Sequence, residues 1–117
     1  MNTELSMGKC EACNIDASSL SDDEIKKLQP QIPSWSIIED EDEIKRLICA
    51  FTFKDYDDSL NFTNIVAKLA EEEDHHPEII LEWGKVTVSW WSHKIKGLHQ
   101  NDFICAAKTD KLFNSFD

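Results

Sequence analysis

The chain has few basic residues and no long run of apolar residues. Only 12 of its 117 residues are lysine or arginine, against 23 aspartates and glutamates, so the formal net charge is −11 at pH 7. Binding to nucleic acid or to an anionic membrane needs a basic face, because phosphate groups are negatively charged. No cluster of lysines and arginines is visible in the sequence. We therefore expect neither nucleic acid nor a membrane as a partner.

The apolar stretches are all shorter than the roughly 20 residues that a membrane-spanning helix needs. The N-terminal segment MNTELSMGKC contains nothing like the apolar part of a secretory signal. We therefore expect a cytoplasmic protein whose four cysteines are mostly reduced. A chain of 117 residues with 41% hydrophobic residues fits one globular domain with a single core.

The first half of the sequence predicts a helix, two strands and a longer helix. In SLSDDEIKKLQP, Ser21 is a helix N-cap and Pro30 ends the helix. WSIIEDEDEIKRLICAFTF predicts two strands around an acidic turn at Glu39 to Asp42. The second strand alternates apolar and other residues, with Leu47, Cys49, Phe51 and Phe53 on one face. The helix in DYDDSLNFTNIVAKLAEEEDHHP has an apolar stripe of Leu60, Phe62, Ile65, Val66 and Leu69.

The second half predicts two more strands and a final helix. EIILEWGKVTVSWW forms a hairpin that turns at Trp83-Gly84, where we expect Gly84 to adopt a positive φ. A helix follows from Asn101 to about Phe116, with Phe103, Ile104, Leu112, Phe113 and Phe116 as its apolar residues. The order α-β-β-α-β-β-α predicts an α+β two-layer sandwich, with a four-stranded antiparallel sheet and helices on one face. We expect this domain to span residues 19–117, after a flexible arm at residues 1–18.

Three of the four histidines are predicted to meet at the open end of the hairpin. With a tight turn centred on Gly84, the numbers of opposed residues add up to between about 167 and 169. His93 then lies opposite Asp74, His75 or His76. The acidic run before His75 and the negative end of the helix dipole favour charged imidazoles, whereas repulsion among three imidazoles opposes it. A mixture of charged and neutral rings suits general acid–base catalysis.

These residues resemble the signature of the pterin-4a-carbinolamine dehydratases. The resemblance is carried by EDHHPEIILEW and VTVSWWSHKIKGLHQNDFICAAKTD, and it extends from about Leu20 to Phe116. The family dehydrates 4a-hydroxytetrahydropterins to quinonoid dihydropterins, which recycles the tetrahydropterin of aromatic amino acid hydroxylases. The resemblance implies a pterin substrate, no metal or other cofactor, and a phenylalanine-hydroxylase-type enzyme as a possible partner. We also expect a homodimer or homotetramer, because small sheet domains pair through their edges.

The resemblance also implies roles for individual residues. His75 and His93 would transfer protons, and His76 would bind and orient the pterin ring. The substrate-binding residues would be Asp74, His75, His76, Trp91, Ser92, His93 and Lys94, with Asp102 and Trp83 as possible supporting residues. Two positions depart from the family pattern: Lys94 replaces a common acidic residue, and His99 replaces a Ser or Thr that would cap the last helix.

Several alternatives stay open at this point. Three histidines can form a catalytic zinc site, although adjacent histidines on extended backbone point to opposite sides. Asp102 could simply cap the last helix, and the tryptophans could simply pack. Cys10 and Cys13 form a CxxC motif in the arm, which has too few ligands for a structural zinc and could serve redox chemistry or metal binding between subunits. A non-enzymatic dimerisation or regulatory module, similar to a transcriptional coactivator, is the alternative function.

Overall fold

A computed structural model describes residues 19–116. The predicted flexible arm with Cys10 and Cys13 lies outside the described residues, as does Asp117. The helices are α1 (Asp22–Leu28), α2 (Tyr56–Glu73) and α3 (Gln100–Asn114), and a short 3-10 helix (Gln29–Gln31) follows α1. The strands are β1 (Ser36–Glu39), β2 (Lys45–Thr52), β3 (Glu78–Glu82) and β4 (Lys85–Trp90). The predicted element order is confirmed.

The four strands form one antiparallel sheet in the order β1-β2-β4-β3. Alternate residues of the two central strands are buried in the core: Leu47, Cys49 and Phe51 on β2, and Val86, Val88 and Trp90 on β4. The helices cover this face. The helices leave the other face uncovered, and Ile38 and Ile80 on that face are 40% and 48% exposed. The predicted two-layer α+β architecture is therefore confirmed.

The apolar stripe of α2 is only partly as predicted. Phe62, Val66 and Leu69 are buried, but Leu60 and Ile65 are 38% and 36% exposed. Successive helical residues are rotated by about 100°, so Leu60 and Ile65 lie on opposite flanks of the row made by the buried residues. Counting apolar residues over-extended the stripe, because around the helix Leu60 lies about 160° from Phe62, and Ile65 lies about 60° from Phe62 on the side away from Val66.

The tip of the β3–β4 hairpin corrects the expectation for Gly84. Glu82 pairs with Lys85, so the loop consists of Trp83 and Gly84, but no glycine among residues 19–116 has a positive φ. The glycine allows close packing instead. A Cβ atom at position 84 would lie 3.1 Å from the carbonyl oxygen of Phe53, whose N–H donates to the Gly84 carbonyl at 2.9 Å.

None of the helices in the described part of the chain is long and apolar enough to cross a membrane.

Ser89 carries a buried hydroxyl that has no hydrogen-bond partner within residues 19–116. The side chain is 2% exposed and lies on the sheet face opposite the core. An unsatisfied buried hydroxyl costs about 1–3 kcal/mol, so Ser89→Ala is expected to raise the free energy of unfolding by about 1 kcal/mol. Urea denaturation measures the change.

The matched control for this substitution is Ser59→Ala. The Ser59 hydroxyl is also buried, but its single proton can be shared between the carbonyl oxygens of Asp55 and Trp83, which lie 3.0 and 3.1 Å away. Its removal is expected to lower the free energy of unfolding by about 1 kcal/mol. Equal losses in both variants would show that Ser89 is satisfied in solution.

Asp110 on α3 makes stability depend on pH. Burial raises the pKa of its carboxyl above the ordinary value of 3.8, although the Trp35 indole N–H donates to Oδ1 at 2.8 Å and opposes the rise. A carboxyl with a raised pKa stabilises the fold while it is protonated, and this contribution is lost as the pH rises through its pKa. Burial also raises the pKa of the Cys49 thiol to about 11, with a smaller contribution from the Asp110 charge.

Asp110→Asn is therefore expected to stabilise the protein at neutral pH by less than about 1 kcal/mol, because the side chain is partly solvated. Asparagine keeps an oxygen for Trp35 and cannot ionise. The gain should vanish below pH 3.8, where the wild-type carboxyl is protonated. Urea denaturation across this pH range tests the prediction, and a gain that is independent of pH would contradict it.

Candidate active site

The end of α2 directs His75 into the protein and His76 out of it. Asp74 ends the helix in the left-handed conformation, with φ 50° and ψ 42°, which aspartate tolerates better than most residues. The N–H of His75 then donates to the carbonyl of Ala70 at 3.1 Å. The His75 side chain is 4% exposed and stacks on Trp90, with ring centroids 5.6 Å apart and an interplanar angle of 11°.

Asp102, in the first turn of α3, is fully buried and accepts three hydrogen bonds. His75 Nε2 lies 2.6 Å from Oδ1, and the Ser92 hydroxyl and the N–H of His99 donate to Oδ2 at 2.9 and 2.8 Å. These three neighbours satisfy both oxygens of the buried side chain. The hydrogen bond to Nε2 fixes the tautomer and the plane of the His75 ring. Asp102 thus caps α3 and also orients His75.

His99 caps α3 in place of the Ser or Thr of the family pattern. Its Nδ1 accepts from the N–H of Asn101 at 3.1 Å, while Asp102 accepts from the N–H of His99. A capping box is therefore present, although His99 replaces the usual Ser or Thr. An imidazole nitrogen can replace a hydroxyl oxygen here because it presents a lone pair at a similar position.

His99→Ala is expected to lower the free energy of unfolding by about 1 kcal/mol, because it leaves a helix N–H without a partner. His99→Ser should leave stability nearly unchanged, since serine is a favoured N-cap. Urea denaturation of both variants measures the difference. If serine destabilised as much as alanine, the capping role of the imidazole would be wrong.

His76 and His93 lie together at the surface, at the open end of the hairpin. The β3–β4 register has residue numbers that add up to 167, as in the pair Glu78 and Ser89, so the predicted register is confirmed. His93 Nε2 lies 3.2 Å from the carbonyl oxygen of His76. The His76 ring is 56% exposed, and its Nε2 lies 2.7 Å from Glu71 Oε1. An exposed pair of this kind contributes little to stability.

The loop that carries His93 is closed at its base. Ser92 and Gly97 form an isolated antiparallel bridge, in which the Ser92 N–H donates to the Gly97 carbonyl at 2.9 Å. A Cβ atom at Gly97 would lie 3.0 Å from the Ser19 Cβ, so glycine permits this close approach. The next residue, Leu98, is buried and its carbonyl accepts from Leu20. Gly97 and Leu98 therefore fix the position of the loop.

Some of the other predicted site residues lie beside His76 and His93, and others do not. Trp91 is half-buried beside His93, with ring centroids 4.4 Å apart, and Asp74 and Lys94 are exposed neighbours of the histidines in sequence. Ser92 is fully buried and its hydroxyl is engaged with Asp102. Trp83 is at the hairpin tip, the opposite end from residues 76 and 93, and it is 66% exposed. It is not brought to the histidines within one chain.

No group of three histidine, cysteine or acidic side chains within residues 19–116 is arranged to hold a metal ion.

Sequence reasoning missed Arg46, whose Cζ lies 3.7 Å from the centroid of the Trp91 ring. It also did not identify Ser92 as a partner of Asp102. Arg46 is opposite Trp91 because Leu47 pairs with Trp90 in the β2–β4 ladder. These two strands are separated by α2 and β3, so no local turn in the sequence sets their register.

Comparisons with known proteins agree with one another. The family model for pterin 4 alpha carbinolamine dehydratase matches residues 18–112. A protein of Nitrosococcus oceani, provisionally named a pterin-4-alpha-carbinolamine dehydratase, is 58% identical over 93% of this chain and 96% of its own length. A protein of Photobacterium profundum with the same provisional name is 57% identical over 88% of this chain and 91% of its own length.

Two solved structures share the fold. The crystal structure of a transcriptional coactivator/pterin dehydratase from Brucella melitensis has a TM-score of 0.73 and 25% identity, covering 81% of this chain and 98% of that chain. A pterin dehydratase-like protein described as a RuBisCO assembly factor in the alpha-carboxysome has a TM-score of 0.58 and 23% identity, over 68% and 89% of the two chains. The match of the family model over most of the chain and the identity above 50% to full-length relatives lead to one conclusion: this chain belongs to the pterin-4-alpha-carbinolamine dehydratase family.

Proposed function

We propose that this protein dehydrates 4a-hydroxytetrahydropterins to quinonoid dihydropterins at the edge formed by His75, His76 and His93. The observation that carries the proposal is the contact between His93 Nε2 and the His76 carbonyl, which joins two distant stretches of the sequence. Beside them, His75 is held by Asp102. Membership of a dehydratase family supports the same reaction. We further propose a cytoplasmic role in recycling the tetrahydropterin of an aromatic amino acid hydroxylase.

The reaction needs one proton donor and one proton acceptor. A protonated imidazole donates to the 4a-hydroxyl, the C4a–O bond breaks, and the hydroxyl leaves as water. The N5 lone pair forms the N5=C4a double bond as the hydroxyl leaves, and a neutral imidazole then accepts the N5 proton. One protonated and one neutral imidazole supply the donor and the acceptor, so the steps balance without a metal or an organic cofactor.

The burial of each ring supports different roles for the three histidines. His93 is exposed and can meet a pterin directly. His75 is 4% exposed and held by Asp102, so it would meet the pterin only along a narrow edge of its ring. We assign proton transfer to His93 and His75, and ring binding to the exposed His76. Asp74, Trp91 and Lys94 border this edge as further substrate-binding residues, and Ser92 contributes through Asp102.

The experiment is a dehydration assay with carbinolamine generated by a hydroxylase in the same cuvette. The purified protein is expected to form quinonoid dihydropterin well above the uncatalysed rate. Dialysis against a chelator should leave that rate unchanged, because no metal takes part. A rate equal to the uncatalysed background would refute the proposal, and loss of activity on dialysis would revive the zinc alternative.

The alternative function is a dimerisation or regulatory module, and exposed apolar side chains favour a role in association. Ile80 and Trp83, on the edge strand β3 and at its tip, are 48% and 66% exposed. The Brucella melitensis protein is likewise described as a transcriptional coactivator as well as a pterin dehydratase. We propose a homodimer or homotetramer, which sedimentation would test. A partner that still bound a variant lacking all three site histidines would support the regulatory function for that interaction.

A further inference from the structure

Arg46 is connected through Trp91 to the edge formed by His75, His76 and His93, on the sheet face that the helices leave uncovered. Its neighbour Leu47 is buried in the core, so Arg46 points to the face that the helices leave uncovered. There its guanidinium covers the Trp91 ring, with Cζ 3.7 Å from the ring centroid. This distance is well within the range of a cation–π contact.

Two carboxylates fix the position of this guanidinium. Arg46 Nε donates to Asp40 Oδ2 at 3.0 Å, Nη2 forms an ion pair with the same oxygen at 2.8 Å, and Glu78 Oε1 lies 3.7 Å from Nη1. Asp40 is held in turn by the backbone N–H groups of Asp42 and Ile44, at 2.8 and 3.0 Å. The Ile44 N–H, and to a smaller extent Arg46, hold the pKa of Asp40 below its ordinary value. The carboxylate therefore stays charged at neutral pH.

Trp91 transmits this fixed position to the histidine edge. The indole contacts the His93 imidazole, with ring centroids 4.4 Å apart and an interplanar angle of 36°. His93 is an exposed side chain, and an exposed side chain normally changes rotamer on the picosecond to nanosecond timescale. A rigid indole beside it limits that motion, and proton transfer requires a donor held in one geometry.

We propose that Arg46 is a positioning residue of the histidine site, which holds Trp91 against His93 and so fixes the imidazole that meets the substrate. The expected effect on the rate rests on the proposed dehydration, whereas the expected effect on the structure of the site does not. Arginine is required because only a planar guanidinium can stack on the indole while its Nε donates to Asp40 and its Nη2 forms an ion pair with the same carboxylate. Lysine keeps the charge but not both contacts.

The test compares Arg46→Met and Arg46→Lys with the control Lys45→Met. Lys45 is the adjacent residue on β2, and its ammonium pairs with Asp22 at 2.7 Å, away from Trp91. Loss of Arg46 is expected to lower kcat about tenfold, because the donor is misplaced, and to raise KM by a smaller factor, because Trp91 is the only proposed binding residue that it releases. Arg46→Lys should recover part of the rate. Lys45→Met should keep the wild-type kcat.

An NMR measurement separates this proposal from the dehydration itself. The ring current of Trp91 shifts the proton signals of the His93 imidazole, which are assigned by their loss in His93→Gln. In Arg46→Met these signals should move towards those of an exposed histidine, whereas in Lys45→Met they should stay in place. Unchanged His93 signals in Arg46→Met and Arg46→Lys would overturn the proposal whatever the dehydratase rate. If the wild type had no dehydratase activity but the His93 signals moved in Arg46→Met as expected, only the proposed function would fail.

Discussion

His93→Ala is expected to slow dehydration by about 10²- to 10⁴-fold, the usual contribution of a positioned general acid or base. The imidazole is exposed, and its Nε2 lies 3.2 Å from a backbone carbonyl oxygen. Its removal should therefore change the free energy of unfolding by less than about 0.5 kcal/mol. Steady-state rates with the enzymatically generated carbinolamine, alongside urea denaturation, measure the two effects separately.

His75→Ala should also lose activity, but it is a less clean variant. It removes a ring that stacks on Trp90 and leaves the buried carboxylate of Asp102 without one of its donors. Loss of stability would accompany the loss of rate. His99→Ser is the matched control, because it replaces the remaining histidine of the chain at a helix cap outside the proposed machinery. A His93→Ala variant as fast as the His99→Ser control would contradict the assignment of His93.

Asp102→Asn is expected to lower the dehydration rate by about a hundredfold or more while the fold persists, because it changes the tautomer of His75. An amide has one oxygen, so it can accept only at the position of one of the two oxygens of the Asp102 carboxylate. If that oxygen stays with Ser92 and the N–H of His99, the amide NH₂ faces His75 Nε2 and forces that nitrogen to accept. Asp102→Ala removes all the acceptors and should destabilise the fold by about 3–5 kcal/mol.

The control for this substitution lies on the same helix. Asp110→Asn makes the same chemical change about two turns further along α3, where the carboxylate faces Trp35 and no histidine. It should leave the dehydration rate at the wild-type value. Rates and urea midpoints of the two variants are compared at one pH. If Asp102→Asn lost stability but kept the dehydration rate of Asp110→Asn, Asp102 would be only a helix cap.

Local sequence patterns predicted most of the fold, because they depend on residues that are neighbours along the chain. Ser21 caps α1 as predicted, and the alternation of Leu47, Cys49 and Phe51 identified the buried face of β2. The register of the β3–β4 hairpin followed from its two-residue turn, and it brought His93 opposite the end of α2. A tight turn leaves few registers to choose from, so this part of the site could be predicted.

The sequence was less informative where distant elements meet. The burial of His75 depends on α3, which brings Asp102 to its Nε2 from 27 positions along the chain. The stack of Arg46 on Trp91 depends on the pairing of β2 with β4, which no hairpin sets. Gly84 was misread because a hairpin tip suggests a positive φ, whereas here no positive φ is present and the Phe53 carbonyl lies close to the glycine. Each of these features is fixed by tertiary packing.

A crystal structure with a stable dihydropterin bound tests the central claim most directly, through the distances from the ligand to the imidazole nitrogens. We predict that the edge of the pterin carrying N5 lies within about 3.2 Å of an imidazole nitrogen of His93, with His76 against the ring, since proton transfer requires hydrogen-bond reach. A pterin bound elsewhere, for example in the cavity of about 490 Å³ beside Asp110 and Cys49, with all three site histidines out of its reach, would contradict the account.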